Sequence, residues 1–216
     1  MLNAHPEILC HYELFHPKKI FHSLPKDVTD ARSVDISFRN KTPDKFLEFI
    51  WRTTGKAKAV GFKMFPEHND AVLSETLRDE KVRKILLDRE NPLFAYTSLL
   101  IAQKTGQYSL LEEKDRKSCR VSVKWDQFLR YCRRKNEFYE NAKANARGAA
   151  FPIYYEDLLE RRWQERLLEF LGVDSDVTNI KIKRRKQNPS KLTERIVNFD
   201  EVCERAKGTE FESYIV

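Results

Sequence analysis

Between residues 57 and 172, short β-rich apolar runs alternate with longer stretches of helical period. That alternation restricts the fold more than any other feature of the chain. Residues 57–65 (AKAVGFKMF), 81–87 (KVRKILL) and 151–155 (FPIYY) read as strands. The intervals between and after them read as helices over about 70–79, 92–104, 122–146 and 156–171. Strands joined through helices pair in parallel, and both faces of such a sheet are then covered. The expectation is an α/β protein with a parallel sheet flanked by helices, forming a single domain over residues 1–216.

Local signals set the element ends. Pro66 closes the first of these strands, and Pro92 suits the first turn of a helix that stops at Gly106. Trp125, Phe128, Leu129, Cys132 and Phe138 are the apolar positions of the long 122–146 stretch. Leu158, Leu159, Trp163, Leu167, Leu168 and Leu171 line one face of the helix that ends at Gly172. The charged stretch 112–120 reads as a surface loop, and 192–206 as a final helix. Residues 1–15 read as the tail of a helix running into a strand and a loop.

The net charge is +7, which favours anionic partners such as nucleotides, sulfated or phosphorylated ligands, or nucleic acid. A solvated basic surface accounts for the same number. The most basic stretch is 181–191, with Lys181, Lys183, Arg184, Arg185, Lys186 and Lys191. The four cysteines, Cys10, Cys119, Cys132 and Cys203, are widely spaced, with no CxxC pair and no histidine cluster at ligand spacing. That pattern points away from a zinc site or a disulfide framework. No apolar run approaches the ~20 residues of a membrane span.

Ligands of open α/β sheets bind at the carboxyl ends of the strands. Those ends carry Lys63 with His68 just beyond it, Arg89 with Asn91 and Ser98, and Tyr155. Together they form a basic, hydroxyl-bearing rim suited to an anionic nucleotide. Arg89 and Ser98 can grip one phosphate, the guanidinium as a charge-assisted fork and the hydroxyl as a further donor. An arginine capping a loop and a serine on a helix face account for the same residues.

Arg89-Glu90-Asn91-Pro92-Leu93 through Ser98 resembles the 3′-phosphate motif of the sulfotransferases. Tyr155-Glu156-Asp157-Leu158 and the later Leu168-Glu169-Phe170-Leu171-Gly172 resemble their Tyr-Glu-Asp-Leu and Phe-Leu-Gly elements. Ala4-His5-Pro6 through Cys10 to Glu13 is similar to the stretch just after their phosphosulfate loop. Lys186-Gln187-Asn188-Pro189 to Asn198, then Gly208-Thr209-Glu210-Phe211, resemble the C-terminal region of bacterial and tyrosylprotein-like members. The ordered set covers almost the whole chain.

The resemblance implies a P-loop NTPase-like fold and 3′-phosphoadenosine-5′-phosphosulfate as sulfuryl donor, with no metal. Arg89 and Ser98 would bind the 3′-phosphate, Tyr155 would contact adenine, and Lys186 would lie in a loop over the cofactor. Glu13 matches the catalytic carboxylate of glutamate-using members, and Lys63 the strand-end lysine near the transferred group. His68 is a second candidate base. The acceptor would bear a hydroxyl on a carbohydrate, a lipid-linked sugar, a small metabolite or a tyrosine. Segments 16–54 and 107–150, which line the acceptor in that family, carry no readable signal.

The chain departs from the family in one place. Its six glycines are isolated, and none stands in the Gly/Ser/Thr-rich strand–loop–helix cradle that holds the 5′-phosphosulfate. The expectation is an N-terminally truncated member of impaired or no activity. The alternative is a non-catalytic nucleotide- or polyanion-binding remnant of the fold. Nucleic-acid binding through 181–191 is the weakest reading, because no aromatic platform is interleaved there. The absence of a disulfide pattern favours the cytoplasm, although some relatives work in the Golgi lumen behind an N-terminal anchor.

Overall fold

The computed structural model describes all residues except 25–34, 111, 179, 181–187, 190 and 216. The chain is mixed α/β, with seven α-helices and four short strands among the described residues. It divides into two compact units, one of residues 1–87, 141–153 and 157–182, the other of 88–140, 154–156 and 183–216.

In the first unit, β1 (Ile8–Cys10) runs parallel to β2 (Ala59–Gly61), with Ile8, Leu9 and Cys10 opposite Ala59, Val60 and Gly61. The strand expected over 57–65 is therefore much shorter. Pro6 has no N–H to donate, and the pairing begins at the Glu7 carbonyl, which accepts from Lys58 and Ala59. Beyond the strands the two segments stay linked, His11 N–H to the Gly61 carbonyl at 2.7 Å and Lys63 N–H to the Tyr12 carbonyl at 2.8 Å. This continuation brings residue 13 beside residue 63.

Helices α1 (Ile36–Lys41) and α2 (Pro43–Arg52) occupy the segment in which the sequence carried no readable acceptor signal. The Asp35 carboxylate caps α1 by accepting from the N–H groups of Ser37 and Phe38, and Pro43 opens α2 at its first turn. Phe46, Leu47 and Ile50 of α2 are buried with Leu14, Phe15, Leu24 and Val72. Val72 belongs to α3 (Asp70–Arg78), which Asn69 caps.

A second pair of strands follows, β3 (Lys84–Asp88) with β4 (Ala150–Tyr154). Lys84 N–H donates to the Ala149 carbonyl at one end, and Tyr155 N–H to the Asp88 carbonyl at the other, so these strands are also parallel. Strand β3 starts three residues later than its apolar pattern suggested. Asp79 holds residues 79–82 in a turn, its carboxylate accepting from Lys81 N–H and its carbonyl from Val82 N–H. The parallel pairing matches the expectation. The described strands, however, form two separate pairs instead of one continuous sheet.

Gly148 enters β4 at φ +71°, and a Cβ there would sit 2.5 Å from the Glu80 carbonyl oxygen. Gly55 has φ +57° and open space around it. Gly148→Ala is expected to cost ~2 kcal/mol or more, and Gly55→Ala about 1 kcal/mol, because only the first adds a backbone clash to the left-handed strain. Urea unfolding of the two variants measures the difference.

Helix α6 (Arg161–Leu171) packs on β1 through Leu168, which is buried with Ile8, Val173 and Val177. It ends at Gly172, as expected, but starts later than 156, after a single 3-10 turn at Asp157–Leu159.

The second unit is built on α4 (Pro92–Thr105) and most of α5 (Trp125–Asn145). The Asn91 side chain caps α4, and Gly106 closes it at φ +68°. Leu93, Tyr96, Val123, Phe128, Cys132, Leu192, Ile196 and Val202 form the core. The final helix expected over 192–206 is interrupted. A 3-10 turn at Leu192–Glu194 precedes an isolated parallel bridge of Ile196 with Val121, and only then does α7 (Phe199–Ala206) begin. Asn198 fixes the interruption, its side chain accepting from Val123 N–H and donating to the Val123 carbonyl.

Candidate functional site

The sequence candidates fall into two groups, one in each unit. In the first unit the parallel pairing places Glu13 against Lys63, with Nζ 2.9 Å from Oε1. His68 Nε2 lies 3.7 Å from the other carboxylate oxygen, and its side chain is only 2% exposed. The Phe65 N–H points at His68 Nδ1 at 3.4 Å, so neutral His68 carries its proton on Nε2, facing Glu13. Burial lowers the His68 pKa against the opposing pull of Glu13. The structure thus brings Glu13, Lys63 and His68 together.

The loop carrying Glu13 is held from behind by Arg39, which is 2% exposed. Its NH1 group donates to the carbonyls of Leu14, His16 and Lys19 at 2.9, 2.8 and 3.3 Å. Sequence reasoning missed this residue. The capping residue Asp35 could have marked the start of the helix that positions it, but its target carbonyls have no local signal.

In the second unit, Arg89 follows β3 and stacks on the Tyr155 ring, with the guanidinium carbon 4.3 Å from the ring centre. Tyr155 is placed there by its own N–H bond to the Asp88 carbonyl. The Asp88 carboxylate does not claim the Arg89 side chain. It is engaged by Lys135 Nζ at 2.7 Å and by the Arg89 N–H.

Ser98 on α4 accepts a 3.0 Å hydrogen bond from Arg195, a residue that no motif or spacing singles out. Arg195 is 3% exposed and lies over the Phe94 ring. Its Nε donates to the Pro189 carbonyl at 2.6 Å. Burial, with the like charge of nearby Arg89, pulls its pKa down to about 10. Among the described residues no carboxylate forms a salt bridge with either guanidinium. Two cations brought together without a contacting counter-charge disfavour each other, and an anion bound between them reverses that cost. Lys186 lies outside the described residues.

A pocket of about 180 Å³ beside Arg89 is lined by residues that include Asp88, Lys135, Asn136, Glu210 and Tyr214. Burial pushes the Cys132 thiol up to about 11 and the Tyr131 phenol to about 12, so both are neutral near pH 7. Among the described residues no three His, Cys, Asp or Glu side chains converge as metal ligands. No helix there is long and apolar enough to cross a membrane. Compared with known protein families, characterised proteins and solved structures, the chain matches none.

Proposed function

We propose that this is a sulfotransferase-family protein that moves a sulfuryl group from 3′-phosphoadenosine-5′-phosphosulfate to an acceptor hydroxyl. The observation that carries the reading is the buried Arg195 guanidinium, which donates to the Ser98 hydroxyl and feels the like charge of Arg89. Charge-assisted donors of this kind suit a dianionic 3′-phosphate. The Tyr155 ring beside Arg89 suits a stacked adenine.

In this reaction the acceptor oxygen attacks sulfur as its proton passes to Glu13. The sulfur–oxygen bond to the 5′-phosphate breaks, and adenosine 3′,5′-bisphosphate leaves. Lys63 stabilises negative charge on the group in flight. Such a displacement needs a base for the acceptor proton and positive charge for the transferred group, the roles this reading gives to Glu13 and Lys63. A second reading is binding of the nucleotide without transfer. The ion pair that already engages Glu13 with Lys63 favours it, because a base must be free to receive a proton.

The test is thermal unfolding with adenosine 3′,5′-bisphosphate, with adenosine 5′-monophosphate as control. At a hundred times Kd, binding adds about 2.7 kcal/mol, which raises Tm by roughly 5–10 °C in a chain of this size. The rise should vanish in Arg89→Ala and shrink in Arg195→Met. Equal shifts with the monophosphate, or no shift, would overturn the phosphate assignment. A shift without product formation from the sulfated donor would select the second reading.

A further inference from the structure

We infer that the surface around Glu13 and Lys63 is a binding site for a neutral polyhydroxylated ring, that is, a sugar unit. Four rings form a continuous array there. Phe21 meets His16 edge-on at 5.2 Å, His16 meets His68 at 6.1 Å, and His68 meets Phe65 at 5.4 Å. The array is tied to Glu13 through its backbone, whose carbonyl accepts from Phe21 N–H and His16 N–H. Phe21 and Phe65 at the two ends are each 39% exposed, and Tyr12, next to Glu13 in the chain, is 41% exposed. Large apolar rings left in water beside a polar cluster mark a surface that is covered when in use.

The polar members decide what covers it. Glu13 and Lys63 cancel each other's charge, and His16 and His68 each accept a backbone N–H on Nδ1, so neither ring presents that nitrogen to a ligand. A charged ligand gains little from such a site. A purely apolar ligand would strip water from the carboxylate and the ammonium without replacing its hydrogen bonds, which is costly. A pyranose answers both demands. Its C–H face lies on aromatic rings, and neighbouring hydroxyls donate to Glu13 and accept from Lys63. A phenol can stack in the same way but offers only one hydroxyl to two polar groups.

As the acceptor site, this assignment rests on the sulfuryl-transfer reading; as a binding site, it does not. The experiment is saturation-transfer NMR, with titration for Kd, on the full chain. The probes are the methyl glycosides of glucose, galactose, mannose and N-acetylglucosamine, with p-cresol as the phenol, and no nucleotide is present. At least one glycoside should bind and do so more tightly than p-cresol. Phe65→Ala and Phe21→Ala should each weaken it roughly three- to ten-fold. Glu13→Gln should weaken it roughly ten-fold or more. Tyr108→Ala, at a 70% exposed ring in the other unit, should leave it unchanged.

All these substitutions lie at the surface or keep shape, and unchanged circular dichroism spectra confirm the fold. Failure of every glycoside, tighter binding of p-cresol, or binding insensitive to the three variants would overturn the inference. Glycoside binding in a chain that ignores adenosine 3′,5′-bisphosphate would uphold the sugar site while the transfer reading falls.

Discussion

Acidification from pH 7 to 4 is expected to cost the folded chain about 3 kcal/mol through His11 alone. His11 is 1% exposed, and burial first, then His22, lowers its pKa from 6.5 to about 4. The unfolded chain therefore takes up a proton at this position before the folded chain does. Stability from this group is complete above pH 6.5, falls as the pH drops below that value, and is gone below about 4. His22 and His68 are lowered as well, chiefly by burial, and add loss of the same sign.

The geometry explains the direction. Besides being buried, the three lowered histidines each accept a backbone N–H on Nδ1: His11 from Ser23, His22 from Leu24 and His68 from Phe65. A proton on Nδ1 ends each of these bonds. Buried His11 would also bring a charge into a place where its Nε2 has no partner among the described residues. His11→Asn offers an acceptor in place of Nδ1 but cannot take up the proton. Urea unfolding at pH 7, 5.5 and 4 should show the variant losing about 3 kcal/mol less than the parent across the range. Parallel loss in both proteins would mean that other groups set the acid sensitivity.

Arg39→Ala should destabilise the chain by about 3–5 kcal/mol and lower Tm by roughly 10 °C. The guanidinium is held by carbonyls, and no described carboxylate forms a salt bridge with it. It bonds to Leu14, His16 and Lys19 through NH1, and to the Asn40 side chain through Nε. Removal leaves the buried Leu14 carbonyl without this donor, beside Leu14 and Phe15 side chains that are 0% and 2% exposed, while the His16 carbonyl keeps only the Lys19 N–H. Arg39→Lys should recover only part of the loss, because one ammonium cannot reproduce the planar fork that reaches several acceptors. The same loop carries Glu13, so glycoside binding should fall with stability in the alanine variant. A change in Tm of less than 2 °C would show that the loop holds itself.

The parts of the molecule legible in the sequence are those written in short spans. The helix from Pro92 to Gly106 was readable at both ends, because a proline preset for the first turn and a glycine free to turn left-handed act within a few residues. Arg89 and Tyr155 read as strand-end residues of one parallel sheet, but that their strands pair directly was not legible. The break before α7 was illegible. The apolar pattern of 192–206 suits one helix, and only the Asn198 bonds to Val123, far away in the chain, interrupt it.

The same division runs through the candidate sites. Sequence by itself determined the alternation of strands and helices between 57 and 171, the helix ends at Pro92, Gly106 and Gly172, and which charged and hydroxyl-bearing residues stand at strand ends. Period, proline, glycine and capping side chains act over one or two turns, so a single chain displays them. Only the tertiary structure decided that Arg39 grips a loop some twenty residues away and that Arg195 joins Ser98 across ninety-seven positions of chain. It alone also made the described strands two separate pairs. Those outcomes depend on which buried carbonyls and cations find partners once the chain is compact, and no local pattern encodes that.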